Sequence, residues 1–336
     1  MTATKKVLLT GATGFIGQHV AKELVNQGYK VRALCRSPSE ELEYEGVEVV
    51  LGDVLDLVSV DAALLGMDFV IHAAGAVSRE KGDQGLLMKV HVTGTRIVVG
   101  AACRANIKRV VNVSTSGTIA VGDDPDLVFH EEDEVPLGLI HRWPYYLSKF
   151  LAERAASDEI RLSDAHDDGK RTELITVNPT LVLGPGDDRA SSTTDVRRYL
   201  DRQVPVVPCG GLSFVDVRDV ATAVVSALTK GRASQRYLLG SVNLTFADFF
   251  QRLEEVSGVK GPLVPVAMPK GLARFGVGLL EKVAEKVGIE LSVSQTEADM
   301  ASHFWYVDSR KAEDELEFSP REPMQTLLDT VRDLQA

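Results

Sequence analysis

Cysteine is scarce in this 336-residue chain: Cys35, Cys103 and Cys209 form an odd, scattered set without the spacing of a metal site. A disulfide framework and a thiolate metal centre are therefore excluded, no metal ligand set is expected, and free buried thiols in a reducing cytoplasm are the expectation. Positive charge is also in deficit. Lys and Arg total 37 against 48 Asp and Glu, for a net charge of −11. Nucleic acid and an anionic membrane surface are poor partners for such a chain. No run of about 18 uncharged apolar residues occurs, so no spanning helix is expected. Met1 to Lys6 is too short and polar for a signal peptide, which again points to the cytoplasm. Internal repeats and low-complexity tracts are missing too. What the chain does have is 44% hydrophobic residues, enough for a substantial core in one large domain or two coupled ones.

The stretch Val7 to Gly17 organises the rest. Val7 to Leu9 are apolar, as a buried parallel strand requires. Gly11, Gly14 and Gly17 follow at three-residue intervals, and Phe15, Ile16, Val20 and Leu24 then repeat at helical spacing. Gly11 permits a sharp turn off the strand, Gly14 lets a pyrophosphate approach the backbone, and Gly17 lets helix and strand pack closely. The helix N-terminus offers free N–H groups and a positive dipole end. Strand, glycine turn and helix in this order predict a dinucleotide site.

The following text alternates strand and helix. Strands are predicted at Lys30–Arg36, Val47–Leu51, Asp68–His72, Arg109–Val113 and Glu173–Val177. Helices are predicted after Asp56, a candidate N-cap with Val60, Leu64 and Leu65 on its apolar face, at Lys89–Ala105, and from Pro144 to before the polar stretch Ser163–Lys170. This pattern means a doubly wound parallel α/β sheet. Arg36, at the end of the second strand, suits a ribose 2′-phosphate and so NADP(H), although Glu40 or Glu41 could still reach a ribose and NAD stays possible. Asp53, with Val54 after it, could accept from the adenine amino group or merely open its turn. Ala73-Ala74-Gly75 leaves room above the fourth strand for a cofactor, and His72 reads as a packed strand-end histidine. Gly122 to Pro136, with its seven acidic residues, reads as a solvated loop.

Beyond Leu181 a turn at Gly184-Pro185-Gly186, a helix at Thr194–Asp201 and a strand at Ser213–Val217 are predicted. A helix capped by Asp219 and ending at Lys230-Gly231, a strand at Arg236–Leu239, and helix from Thr245 onward follow, including an apolar stretch at Pro269–Val287. Residues 1–180, with 213–240 returning to them, are expected to bind the dinucleotide. Residues 181–212 and 241–336 are expected to form a smaller, mostly helical substrate lobe, its apolar Phe275, Leu279, Leu280 and Val283 reading chiefly as core.

Tyr145 and Lys149 are four apart and share one helix face. A nearby ammonium and a cationic nicotinamide favour the phenolate, so Tyr145 is expected to titrate below its usual ~10 and to pass a proton near neutral pH. Ser114-Thr115-Ser116 closes the fifth strand, and Tyr145 follows Ser116 by 29 residues.

With these motifs in order, the chain resembles the extended short-chain dehydrogenases/reductases over nearly its whole length. Thr10-Gly11-Ala12-Thr13-Gly14-Phe15-Ile16-Gly17 matches the family's glycine signature and Tyr145-Tyr146-Leu147-Ser148-Lys149 its Tyr-x-x-x-Lys signature. Asn178-Pro179 and Val215 to Ala221 sit where the family has similar text. The resemblance implies that Tyr145 donates or accepts the proton, that Lys149 holds the nicotinamide ribose and tunes Tyr145, and that Ser116 orients the carbonyl. It places Gly11, Thr13, Gly14, Phe15, Ile16, Gly17, Arg36, Asp53, Val54, Ala73, Ala74, Gly75, Ser114 and Pro179 at the dinucleotide. It also implies a homodimer, formed by the helices at Lys89–Ala105 and Tyr145–Ala156 lying on one side of the sheet.

Two departures bear on substrate. His91 stands where the family has Asn, and Leu212-Ser213-Phe214 replaces the Arg-Asp-Phe of nucleotide-sugar epimerases. Arg36 and the text Phe214-Val215-Asp216-Val217-Arg218-Asp219-Val220 resemble more closely the dihydroflavonol-reductase and 3β-hydroxysteroid-dehydrogenase members. An NADP(H)-dependent reductase of a ketone or aldehyde, or the reverse oxidation of an alcohol, is the leading expectation. A nucleotide-sugar epimerase or dehydratase with tightly bound NAD(P) is the alternative, and a non-catalytic nucleotide sensor is the third reading.

Overall fold

The computed structural model describes residues 4–78, 81–164, 171–204, 206–261 and 295–336. The predicted apolar stretch Pro269–Val287 and most of Ser163–Lys170 lie outside them. β1 (Lys6–Thr10) passes through the glycine turn into α1 (Phe15–Asn26), followed by β2 (Lys30–Cys35), α2 (Glu40–Tyr44), β3 (Glu48–Leu51), α3 (Leu57–Leu64) and β4 (Phe69–His72). α4 (Gln84–Leu87) continues through a π-helical segment, Met88–Thr93, into α5 (Gly94–Arg104). Then come β5 (Arg109–Val113), a 3₁₀ turn at Ser116–Thr118, α6 (Leu137–Ile140), α7 (Pro144–Asp164), β6 (Glu173–Pro179) and β7 (Leu181–Leu183). The remaining elements are α8 (Thr194–Leu200), β8 (Gly211–Asp216), α9 (Val217–Ser226), β9 (Arg236–Leu239), β10 (Val242–Thr245), α10 (Phe246–Ser257), α11 (Gln295–Met300), α12 (Arg310–Leu316) and α13 (Pro323–Gln335).

Seven strands form one parallel sheet in the order β3-β2-β1-β4-β5-β6-β9, a Rossmann-type sheet whose order reverses between β1 and β4. Strand alternation explains the two helical layers. Val7 and Leu9 point into a core shared with α1 and α9, while Leu8 points into one shared with α3, α5 and α7. All three side chains are fully buried, which is why this strand carries no polar residue between the exposed Lys6 and Thr10. A second, three-stranded sheet, β10-β8-β7, carries α8, α10 and α13 through a core around Tyr199, Phe214 and Phe249. The strand predicted at Ser213 thus pairs with β7 and β10, whereas β9 edges the large sheet.

Several local expectations are corrected. Leu65 is not on the apolar face of α3; it is 73% exposed at the C-cap. α9 is capped by Asp216, whose side chain accepts from the Arg218 N–H, and ends at Ser226. Asp219 sits in the first turn and instead receives Arg321 in a bidentate pair. The acidic loop is pinned rather than simply solvated: Phe129 is buried, bridging to Val307, and the Glu131 carboxylate accepts from the Leu238 N–H at 2.9 Å. Cys35 and Cys103 are buried free thiols, but Cys209 is half-buried. The helix Gln84–Arg104, 21 residues long, is by length and composition apolar enough to cross a bilayer, but Lys89 and Arg96 interrupt it, in keeping with the expectation that no run of about 18 uncharged apolar residues occurs. Its buried Val98, Val99, Ala101, Ala102 and Cys103 pack into the core shared with α3 and α7, and 56% of its apolar window is buried within the protein.

Candidate active site

The carboxyl ends of β1, β4, β5 and β6 open onto one cleft of about 1850 Å³, walled on its far side by β8, α8 and α11. Gly11 turns at φ +76°, and a Cβ there would sit 2.6 Å from the backbone of Ala73 and Ala74, so only glycine lets the first and fourth loops touch. Gly14 is the N-cap of α1 and supplies no side-chain cap, which leaves the first-turn N–H groups facing the cleft. That is the donor geometry a pyrophosphate requires, and the residues present fit a dinucleotide. At Gly17 a Cβ would lie 1.9 Å from the Gly11 carbonyl oxygen. Neither partner is a side chain that can swing away. Gly17→Ala is therefore expected to cost about 1–3 kcal/mol, read as a lowered thermal midpoint; an unchanged midpoint would show that turn and helix can separate freely.

The cleft is lined by Thr13, Phe15, Ile16, Arg36, Ala73, Gly75, Ser114, Ser116, Tyr145, Lys149 and Pro179 along with the three glycines. Arg36 lies at its outer end beside Ser37 and Ser39, exposed and without an ion pair among the described residues. Three expected residues lie off this lining. Asp53 closes its own turn, accepting from the Leu55 N–H at 2.9 Å, and Val54 packs against Gly94. Ala74 faces a small space behind Lys149, together with His72 and His91.

Tyr145 and Lys149 project from the first turns of α7, which starts at Pro144 where a missing N–H is harmless. The Lys149 ammonium donates to the Val113 carbonyl at 3.0 Å. Burial pulls its pKa down to about 8, with Glu153 opposing. For Tyr145 the expected lowering is reversed by the protein's own groups: burial, then the neighbouring Tyr146, raise its pKa. Burial and the neighbouring ring thus disfavour the phenolate in the protein itself. Tyr145 is accordingly held as a proton-bearing phenol.

His91, the departure from the family text, ties the site together. The Ala76 N–H donates to its Nε2 at 3.0 Å, so the proton sits on Nδ1, which faces the Ser148 hydroxyl at 2.8 Å. Ser148 donates in turn to the Tyr145 carbonyl at 2.7 Å. Burial and the Lys149 charge pull the His91 pKa to about 2, so the ring stays neutral, edge-on to Tyr145 with centroids 5.7 Å apart. His72 is the packed strand-end residue expected, between Thr10 and Thr95.

Two features were missed. Trp143, Tyr146 and Trp305 stack into an aromatic wall beside Tyr145, with centroids 4.9–6.0 Å apart. Trp305 comes from beyond α11, and nothing local in the sequence marks it. Glu153, by contrast, falls one turn past Lys149 on the same helix face, a spacing that could have drawn notice.

The profile of the NAD dependent epimerase/dehydratase family matches residues 7–240. Cinnamoyl-CoA reductase 1 of Oryza sativa subsp. japonica is 35% identical over 266 residues, 74% of this chain and 75% of that protein. Sterol demethylase protein B of Methylococcus capsulatus is 33% identical over 286 residues, covering 83% and 82%. The crystal structure of gox2253 superposes with a TM-score of 0.80 at 28% identity, covering 99% of this chain and 98% of that one.

Proposed function

The chain belongs to the NAD-dependent epimerase/dehydratase family of extended short-chain dehydrogenases/reductases and is an NAD(P)-dependent enzyme, and from that premise we propose that it reduces a ketone or aldehyde with NADP(H), or oxidises the matching secondary alcohol. The observation that carries this is the meeting, in one cleft, of the uncapped start of α1, the Arg36 end, and Ser116, Tyr145 and Lys149.

Gly11, Gly14 and Gly17 would hold the pyrophosphate, Lys149 the nicotinamide ribose, and Arg36 the 2′-phosphate. When bound, the reduced nicotinamide supplies the hydride that adds to the carbonyl carbon. Ser116 donates a hydrogen bond to the carbonyl oxygen and fixes its direction. Tyr145 gives its phenolic proton to that oxygen as it gains charge. Lys149, cationic below about pH 8, stabilises the phenolate left behind. The aromatic wall of Trp143, Tyr146 and Trp305 excludes water from the reacting carbonyl. The free thiols Cys35 and Cys103 are in keeping with a cytoplasmic enzyme. The packing of α5 on α7 on one side of the sheet supports a homodimer with these helices at its two-fold interface.

NADPH oxidation across a panel of carbonyl compounds tests the proposal. Turnover of one class at the expense of NADPH is expected. Interconversion of nucleotide sugars without net NADPH consumption would replace it with the epimerase reading, and cofactor binding without turnover of either would leave a sensor. Cofactor choice is checked separately. A charge-assisted contact from Arg36 to the 2′-phosphate is worth about 1.5–3 kcal/mol, so NADPH should bind about 10–100-fold more tightly than NADH. Arg36→Asp should reverse that order. Equal affinities in the native protein would remove the NADP assignment.

A further inference from the structure

The side chain of Glu153 is 5% exposed, yet it belongs to no step described above. Its Oε1 accepts from three neutral donors: the Ser114 hydroxyl, the Thr118 hydroxyl at 3.0 Å and the Asn178 amide at 2.8 Å. Its Oε2 accepts from Arg236 at 2.9 Å. One carboxylate thus joins α7 to the end of β5, the 3₁₀ turn, β6 and β9. Two of the three neutral donors lie at positions −2 and +2 from Ser116, and the third, Asn178, also donates to the Thr115 carbonyl at 3.0 Å. The segment that presents Ser116 is therefore gripped from behind on both flanks by one oxygen. Glu153 also lies one helical turn from Lys149, whose ammonium it stabilises.

A buried carboxylate has a large desolvation cost unless its lone pairs are filled, and four donors fill them here. A charge is not needed merely to join these elements, because a neutral side chain could bond some of the same groups. What an anion adds is electrostatic. We propose that Glu153 is a positioning residue of the reaction assigned above, setting the Ser116 segment against α7 and keeping Lys149 cationic at working pH. The inference rests on that reading for the reaction, but its electrostatic half does not need turnover. Other groups around Lys149 are Tyr145 on its own helix, His91 on the π segment and His72 on β4; both histidines are neutral, so Glu153 is the anion on that side. Arg236 on β9 is the cation that faces Glu153.

The test compares Glu153→Gln, Glu153→Asp and Arg236→Met with the native protein. In Glu153→Gln the alkaline limb of the pH–rate profile is expected to move down by about half a unit or more, because Lys149 loses its counter-charge. Turnover is expected to fall about 10–100-fold from misplacement of Ser116, with NADPH affinity changed by less than about threefold. Glu153→Asp, which keeps the charge, should retain the native limb and recover part of the turnover. Arg236→Met keeps the carboxylate and removes only its partner, so its limb should stay or move upward. The Lys149 signal in ¹³C-lysine-labelled protein, assigned by its loss in Lys149→Ala, reads the same shift by NMR without any substrate. A downward NMR shift in Glu153→Gln with no carbonyl turnover in the native protein would support this inference and sink the proposed reaction. Native turnover with an unmoved Lys149 titration in folded Glu153→Gln would do the reverse. Should Glu153→Gln not fold, a downward limb in Arg236→Met, or in Glu153→Asp, would overturn the inference.

Discussion

Replacing Tyr145 with Phe is expected to lower turnover by about 10²–10⁴-fold, the usual worth of a positioned general acid, while leaving dinucleotide affinity near the native value. The substitution removes one oxygen and its proton. It keeps the ring that meets His91 edge-on at 5.7 Å and Tyr146 at 5.2 Å, so the wall of the cleft survives. Because burial and Tyr146 raise the Tyr145 pKa, the native phenol carries its proton throughout the neutral range and is ready to act as an acid. The alkaline limb of the native profile then reports the Tyr145–Lys149 pair as a unit, with Lys149 at about 8 its more easily titrated member. Because Lys149 carries that limb, the limb should persist in the residual turnover of Tyr145→Phe and be lost in Lys149→Ala. Lys149→Ala should impair both affinity and rate, and Ser116→Ala chiefly rate. A Tyr145→Phe enzyme that keeps near-native turnover, with an isotope effect on the transferred hydride showing that chemistry limits the rate, would move the proton to another group.

The sheet was legible because its signals are local and redundant. β1 is a run of buried apolar residues followed by a turn that only glycine can make, and strand and helix alternate from there to β6. The six strands β1 to β6 lie within one residue of where the text puts them, apart from the end of β6, which runs two residues further. What sequence did not reveal depends on distance along the chain. Asp219 has the residue type of a cap, yet Arg321, 102 positions away, claims it, and Asp216 caps instead. Phe129 and Glu131 sit in an acidic loop whose pinning partners, Val307 and Leu238, lie far downstream. The candidate site divides the same way. Spacing puts Tyr145 and Lys149 on one helix face and the resemblance adds Ser116, and the fold brings all three to one cleft. The aromatic wall needs Trp305, and the ring of donors around Glu153 needs Asn178 and Arg236, which only the folded sheet delivers. The burial that raises the Tyr145 pKa in the protein itself comes from the folded surroundings and has no local signature in the sequence.

Acidification from pH 7 to pH 5 is expected to remove about 4 kcal/mol of stability through two histidines alone. His72 and His91 are both buried and neutral, with pKa values pulled to about 3 and about 2, chiefly by desolvation and then by the Lys149 charge. In the unfolded chain each titrates near 6.5. The sign follows directly. Below pH 6.5 the unfolded state takes up protons that the folded state refuses, so stability is intact above that value and falls as pH drops towards the folded pKa values. At pH 5 each residue contributes about 2 kcal/mol of loss, and any folded pKa below ~4.5 gives nearly the same figure. His19, also lowered by burial, adds in the same direction. Glu131 opposes, since burial raises its carboxyl and the folded state binds that proton more readily. Asp187 and Asp216, whose pKa values are lowered, withdraw stability only in more acid solution, below the ordinary carboxylate range. The window from 6.5 to 5 therefore belongs to the histidines. Urea unfolding at constant ionic strength should show the midpoint falling across it, with His91→Asn losing about half as much as the native protein over the same interval. Equal stability at pH 7 and pH 5 would mean that both rings can be protonated in place, and that the neutral Ala76–His91–Ser148–Tyr145 chain of hydrogen bonds does not hold.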